Sequence, residues 1–175
     1  MCIRDRLENA VTSTGGAAIV FFTHRFVAST QAWLARLQRR GGWTCAHVDI
    51  TFSSPLLGEV TAVVADRGRG DQVHLIMQHS TGRSSTASVT LTAPAAIGTH
   101  VSIDGEAGRE VLPAPSLEPP LMVAAHQAAL DALLGLGNHP DRGHACDVHF
   151  GARVVEVLDA ARRSIVNGCR IEVAT

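Results

Sequence analysis

His139, His144, Cys146 and His149 could each bind a metal through nitrogen or sulfur, and they fall within eleven residues, with Asp141 and Asp147 between them. Imidazole and thiolate at short spacing are zinc chemistry, although this spacing matches no standard finger and polar loops collect such residues by chance. A second candidate pair, His24 and Arg25, lies just after the apolar run 17–22. It would therefore sit at a strand end, where open α/β sheets place their ligands. The plain alternative for Arg25 is a surface or capping residue. His74, Gln78 and His79 fall on the more polar side of one hairpin, where a wet sheet face or an interface is the simpler use. Ser84 and Ser85 lack the G-x-S-x-G surroundings of a nucleophile elbow. Arg36, Arg39 and Arg40 crowd the end of a helix pattern and read as a solvated helix terminus.

Absent residue types narrow the chemistry further. All fifteen basic residues are arginine and there is no tyrosine. Schiff-base lysine chemistry, a P-loop lysine and a tyrosine acid are therefore excluded for this chain. The net charge of −1 removes the basic footprint of a nucleic-acid binder. No apolar run reaches the roughly 18 residues of a spanning helix. The most apolar candidate, 117–136, is broken by Glu118, Pro119, Pro120, His126, Gln127 and Asp131. The four cysteines are scattered, and the charged start lacks an export signal, so free thiols in a reducing cytoplasm are expected. A chain of 175 residues, 46% apolar, has the composition of a soluble globular protein and needs no disulfide to build a core.

Hydrophobic periodicity gives the elements that must position these residues. The short apolar run 17–22 fits a strand buried on both faces. A helix should come next, capped by Ser29 or Thr30, with Trp33, Leu34 and Leu37 as its stripe and Gly41-Gly42 as its stop. From Trp43 to about Leu112 the period is two, with strands expected at 43–52, 59–65, 72–79, 85–93 and 99–103. Ser80-Thr81-Gly82-Arg83 reads as a hairpin turn. Val73, Leu75 and Met77 alternate with His74, Ile76 and Gln78, which gives one face to a core and leaves one open. Helices return at 121–134, with Val123, Leu130, Leu133 and Leu134 inward, and at 153–167, with Val154, Leu158, Ala161 and Ile165 inward. The stretch 138–150 reads as a loop. Gly168 should cap the last helix, and Cys169, Ile171 and Val173 should form a final strand. The fold class is α+β: a largely antiparallel sheet of five or six strands with helices on one face.

The opening Met1-Cys2-Ile3-Arg4-Asp5-Arg6 matches no helix-start or strand pattern that continues into residues 7–16. It resembles the translation of a transposon-end adapter used in sequencing libraries. On that reading residues 1–6 are a non-native tail and the chain is part of a longer protein.

The order of these segments resembles the Gfo/Idh/MocA family of NAD(P)-dependent oxidoreductases. Residues 17–26 look like the last strand of that family's Rossmann domain running into its Arg-Phe crossover. Leu56-Leu57-Gly58-Glu59-Val60-Thr61-Ala62-Val63 looks like the segment after its catalytic region. Residues 71–91 resemble its central hairpin, and residues 103–109 the G-x-x-G turn after that hairpin. Residues 154–164 with Gly168 resemble its final helix and strand. The resemblance covers most of residues 8–175. It implies that 7–26 are the remnant of a Rossmann domain, that 27–175 are a C-terminal substrate and oligomerisation domain, and that His24 and Arg25 face the nicotinamide cleft. It also implies NAD or NADP as cofactor and a sugar, polyol or cyclitol hydroxyl as substrate in the intact parent. In that family the open sheet face supports homo-oligomers.

The departures bear on activity. The chain has no G-x-G-x-x-G turn; Gly68-Arg69-Gly70 runs directly into Asp71-Gln72-Val73. The family's Glu-Lys-Pro motif is absent because there is no lysine. Where the family has D-x-x-x-H, Asp49-Ile50-Thr51-Phe52-Ser53 ends in serine. Hydride transfer needs a bound nicotinamide and a base. The expectation is thus a fragment of a dehydrogenase that binds no cofactor and does not turn over alone. The rivals are a non-catalytic β-sheet dimerisation module and a small metal-binding protein using the 139–149 loop.

Overall fold

The computed structural model describes residues 3–47, 56–90, 100–113, 119–138 and 144–173. The chain forms two compact units, Met1–Ala32 with Pro115–Val155, and Trp33–Ala114 with Glu156–Thr175.

The second unit is built on a seven-stranded sheet. Its strands are β1 (Trp43–His47), β2 (Val60–Arg67), β3 (Val73–His79), β4 (Ser84–Val89), β5 (Ser102–Gly105), β6 (Gly108–Val111) and β7 (Ile171–Glu172). Their order is β6-β5-β1-β4-β3-β2-β7. Every neighbouring pair is antiparallel except β1 and β4, which run parallel with Cys45 opposite Ser84 and His47 opposite Thr86. The expected α+β class holds, with one short strand, β6, beyond the five of the period-two region and the final strand. β6 completes a tight hairpin with β5 through Gly108, which takes φ +102°. The β3–β4 turn is as expected, with Gly82 at φ +76°.

Burial alternates along the sheet. Leu75, Met77 and His79 of β3 are buried, while His74, Ile76 and Gln78 are exposed. The core face collects Trp43, Ala46, Leu57, Val101 and Ile103 against Trp33, Leu34 and Leu37. The last three come from helix α3 (Ala28–Arg40), whose stripe is the expected one. Arg36 and Arg40 reach Glu110 on β6 at 3.0 and 2.7 Å, so the arginine-rich helix end is ion-paired as well as solvated.

The final helix, α5 (Val148–Asn167), starts five residues earlier than the periodicity predicts. Asp147 provides the start: its Oδ1 accepts the Phe150 N–H at 2.8 Å, an N-cap within the stretch read as loop. Its inward face is also different. Val154, Val157, Ala160, Ala161 and Ser164 are buried, whereas Leu158 is exposed. Small residues at the contact bring the backbone closer to its neighbours than leucine would permit, which decides the rotation. Gly168 caps the helix at φ +63°, its N–H bonding the Ser164 carbonyl at 2.8 Å. β7 then pairs with β2, as Ala62 opposite Glu172.

The first unit contains α1 (Ile3–Thr14), the four-residue helical turn α2 (Thr23–Phe26) and α4 (Pro119–Asn138). Two expectations are corrected here. The opening stretch from Ile3 is helical, because its Arg, Leu, Glu and Ala content favours helix even without a cap. The run 17–22 is not a strand of a sheet. It makes one isolated bridge, Ile19 to Asp147, and one bond from the Val20 N–H to the Cys146 carbonyl at 2.7 Å. A ladder needs a second backbone alongside, and an apolar run cannot create one.

α4 is rotated relative to expectation. Ala125 and Ala129 are buried, with Ala128 and Ala132 partly so, against Phe26, Val27 and Cys146. Val123, Leu130 and Leu134 are 65%, 55% and 59% exposed. The aromatic side chains of 21–26 need flat, shallow space, which alanines leave and leucines do not. Among the described residues no helix is long and apolar enough to cross a membrane.

Candidate functional site

His24 and Arg25 sit on α2, between the extended segment 17–22 and α3. Their side chains part ways. Arg25 is 7% exposed. Its guanidinium lies 5.7 Å from the Phe150 ring centroid and hydrogen-bonds the Cys146 thiol. The ring face offers the buried cation an electrostatic partner in place of water. Around it the aromatics interlock: Phe21 on Phe26 at 5.5 Å, Phe21 on His126 at 4.3 Å, Phe22 edge-on to Phe150 at 5.6 Å and Phe26 parallel to His144 at 5.7 Å. Arg25 is therefore engaged in the packing of its own unit. His24 is half-buried, and its Nδ1 is buried with no hydrogen-bond partner. Of the two side chains, His24 is the less buried.

The 139–149 stretch divides in the same way. His139 lies outside the described residues. His144 and Cys146 are neighbours, but the contact is structural: the Cys146 backbone N–H donates to His144 Nδ1 at 3.0 Å. Burial first, and then the charge of Arg25, hold the His144 pKa below its ordinary value, opposed by Asp147. Burial pushes the Cys146 thiol up. A protonated thiol facing a guanidinium is neither a nucleophile nor a zinc ligand without losing its proton. His149 is exposed on α5. Among the described residues no group of three His, Cys, Asp or Glu side chains could hold a metal ion.

His79, expected on the polar side of its hairpin, belongs to the core face with Leu75 and Met77. The open face is carried by other residues. Val64, Ile76, Thr86 and His47 lie opposite one another across β2, β3, β4 and β1. Val64 and Ile76 are exposed, and His47 Nδ1 shares a hydrogen bond with Thr86 Oγ1. In the next row His74 Nδ1 meets Ser88 Oγ at 2.8 Å. At the far side Asp104 accepts two bonds from Arg109, at 2.8 and 3.1 Å, and this guanidinium holds its carboxyl below the usual range. This surface combines exposed apolar side chains with imidazole–hydroxyl hydrogen bonds.

The described residues do not fit a complete nicotinamide site. A pyrophosphate needs a glycine-rich turn at a helix N-terminus, and none of the chain's glycine clusters has that spacing. No step of hydride transfer is assigned to this chain.

Comparison with known proteins supplies the fold. No family model and no curated protein matches the chain. Solved structures do. A putative myo-inositol dehydrogenase from Sinorhizobium meliloti superposes with TM-score 0.77 at 15% identity, covering 98% of this chain and 70% of that one. The WlbA dehydrogenase from Chromobacterium violaceum, in complex with NADH and UDP-GlcNAcA, gives 0.72 at 14% identity, covering 98% and 67%. A levoglucosan dehydrogenase in complex with NADH and levoglucosan gives 0.74 at 11% identity, covering 98% and 70%. These neighbours are Gfo/Idh/MocA-type dehydrogenases, and the fold expected from the resemblance is the fold observed. The chain spans about 70% of the length of the myo-inositol enzyme it matches.

Proposed function

We propose that this chain is the C-terminal portion of a Gfo/Idh/MocA-type, NAD(P)-dependent dehydrogenase that oxidises a hydroxyl of a sugar, polyol or cyclitol. The observation that carries the reading is the pair of coverages, nearly all of this chain against about 70% of a dehydrogenase. Three features support it. The chain lacks a coenzyme-cradling turn. The most strand-like run, 17–22, has a single bridge in place of a sheet. The large apolar residues of α4, Val123, Leu130 and Leu134, face outward. Residues 1–6 are then the adapter-derived tail, 7–26 the end of a Rossmann domain and 27–175 the substrate and oligomerisation domain. Within that parent His24, with its orphan Nδ1, is the residue of this chain assigned to the nicotinamide cleft, while Arg25 stays packed against Phe150 and Cys146. The open face, with Val64 and Ile76 exposed between hydroxyls and imidazoles, is assigned to contact between copies. The free thiols of Cys45, Cys146 and Cys169 suit a reducing cytoplasm.

The test compares this chain with the gene product carrying its natural upstream residues. The longer protein is expected to bind NADH or NADPH in the micromolar-to-millimolar range usual for enzyme substrates and to reduce the oxidised coenzyme with one member of a polyol panel. The present chain is expected to leave NADH fluorescence unchanged. A natural upstream sequence with no glycine-rich turn, or a longer product that binds no nicotinamide, overturns the proposal.

A further inference from the structure

We infer that His79 is an acid-sensitive latch that fastens the entry of β2, residues 57–60, onto the β3–β4 hairpin. The inference rests on geometry within one unit. The imidazole is 3% exposed. Its Nδ1 lies 2.6 Å from the Gly58 carbonyl and its Nε2 lies 2.8 Å from Ser85 Oγ. A carbonyl only accepts, so Nδ1 carries the proton, and the neutral ring leaves Nε2 to accept from the Ser85 hydroxyl. The same entry is gripped twice more. Thr81 Oγ1 donates to the Leu57 carbonyl, and the Ser80 N–H donates to the Glu59 carbonyl at 2.8 Å. Gly58 stands at φ +90°, and a Cβ there would lie 2.8 Å from Ser80 Oγ and 3.0 Å from Thr81 Cγ2. The turn therefore fits closely onto the hairpin only while the hairpin holds it.

Protonating the ring buries a cation. The Ser85 hydroxyl could turn to accept from Nε2–H, but among the described residues no carboxylate acts on the ring to offset the charge. The nearest ionisable side chains along the ladder are Glu59, at the entry itself, and Arg83, in the turn just before β4. Neither contributes to the titration of His79, which burial depresses below 6.5 against a smaller opposing effect of the Gly58 carbonyl. Beneath the turn, Leu57 packs with Trp33, Leu34 and Leu37 of α3, all uncharged. Linkage sets the sign. The open turn, with a solvated imidazole, binds a proton more readily than the closed one. The latch is thus fully closed above the ordinary histidine pKa, and closure is lost as pH falls toward the depressed value.

Amide hydrogen exchange and the His79 ring resonances of the full chain, measured by NMR from pH 8 to 4.5, test this. After correction for intrinsic exchange, protection of the Ser80 amide should fall by up to about tenfold per pH unit below 6.5, the limit set by one proton. His79→Asn keeps a donor for the Gly58 carbonyl but cannot ionise, so its protection should be flat with pH. Thr81→Val should lower protection at every pH and keep the slope. A wild-type ring that titrates at or above 6.5, protection that is flat in wild type, or a slope that survives His79→Asn would overturn the inference. If His79→Asn fails to fold, the wild-type titration and Thr81→Val still decide.

Discussion

Trp43→Ala is expected to destabilise the sheet unit by about 3–5 kcal/mol, the range for deleting a buried aromatic side chain. Trp43 is almost wholly buried at the start of β1, where it joins the cluster of Trp33, Leu37 and Ile103. Its indole N–H donates to the Leu37 carbonyl at 2.8 Å, which ties β1 to the helix that covers it. Arg40 lies 5.5 Å from its ring centroid. Gly105, across the β1–β5 pairing, fits against the same ring, since a Cβ there would lie 2.8 Å from Trp43 Cε3. Removing the indole therefore opens a cavity that a well-paired strand and a helix cannot easily close. Trp43→Phe separates the contributions. It keeps most of the volume and deletes the hydrogen bond, and the Leu37 carbonyl still accepts the Gly41 N–H at 3.0 Å. A cost of about 0.5–1.5 kcal/mol is expected for that variant. Urea denaturation monitored by fluorescence reads both, because Trp33 remains as a buried reporter in the same unit. A Trp43→Ala cost below about 1 kcal/mol would mean that β1 and α3 do not form the core described.

Much of the sheet unit was legible because its information is local. The two-residue alternation of 73–79 reports a half-buried strand directly, and Gly82 and Gly168 occupy turns that only a positive φ permits. The stripe Trp33, Leu34, Leu37 has one way to face a core. The parallel pairing of β1 with β4 was not legible, since strand order depends on contacts between residues about forty positions apart. His79 was misassigned for a similar reason. It shares parity with Leu75 and Met77, but a polar name outweighed the register, and its partners Gly58 and Ser85 could be found only in three dimensions.

The first unit was harder to read because its packing inverts the usual rule. In α4 the alanines face in and the larger residues face out, so a hydrophobicity pattern points the helix the wrong way. Arg25 resembled a ligand by position at the end of an apolar run. Its burial against Phe150 and Cys146 depends on the 144–150 segment folding back beside it. A usable signal did exist in Asp147: an N-cap residue ahead of apolar residues at helical spacing marks the start of α5. Position in the sequence thus placed His24 and Arg25 side by side but did not show that one is packed against Phe150 and the other is left with an unpartnered Nδ1.

Ser164→Ala tests the other place where tertiary bonds override pattern. Ser164 is fully buried in α5, at a position where a helix face would ordinarily carry an aliphatic side chain. Its hydroxyl accepts the Ala65 N–H of β2 at 2.9 Å and donates to the Cys169 carbonyl at 2.6 Å. One oxygen thereby joins the helix, an inner strand and the segment leading into β7. Alanine fits the space and favours the helix by propensity, so a purely local account predicts neutral or slightly improved stability. The tertiary account predicts a loss, because a buried donor and a carbonyl are both left unmade at roughly 1–3 kcal/mol each. The expected net cost is about 2–4 kcal/mol, with the amides of Ala65 and Val173 losing hydrogen-exchange protection before the β3–β4 amides do. Val173 is the informative reporter: its N–H bonds the Thr61 carbonyl at 2.9 Å, so it reads whether β7 stays docked on β2. Ser164→Cys, which keeps a weak donor and acceptor of similar size, should recover part of the loss. Unchanged stability with unchanged Val173 protection would show that the final strand is held by its ladder alone, and that the Ser164 hydroxyl is incidental to the fold.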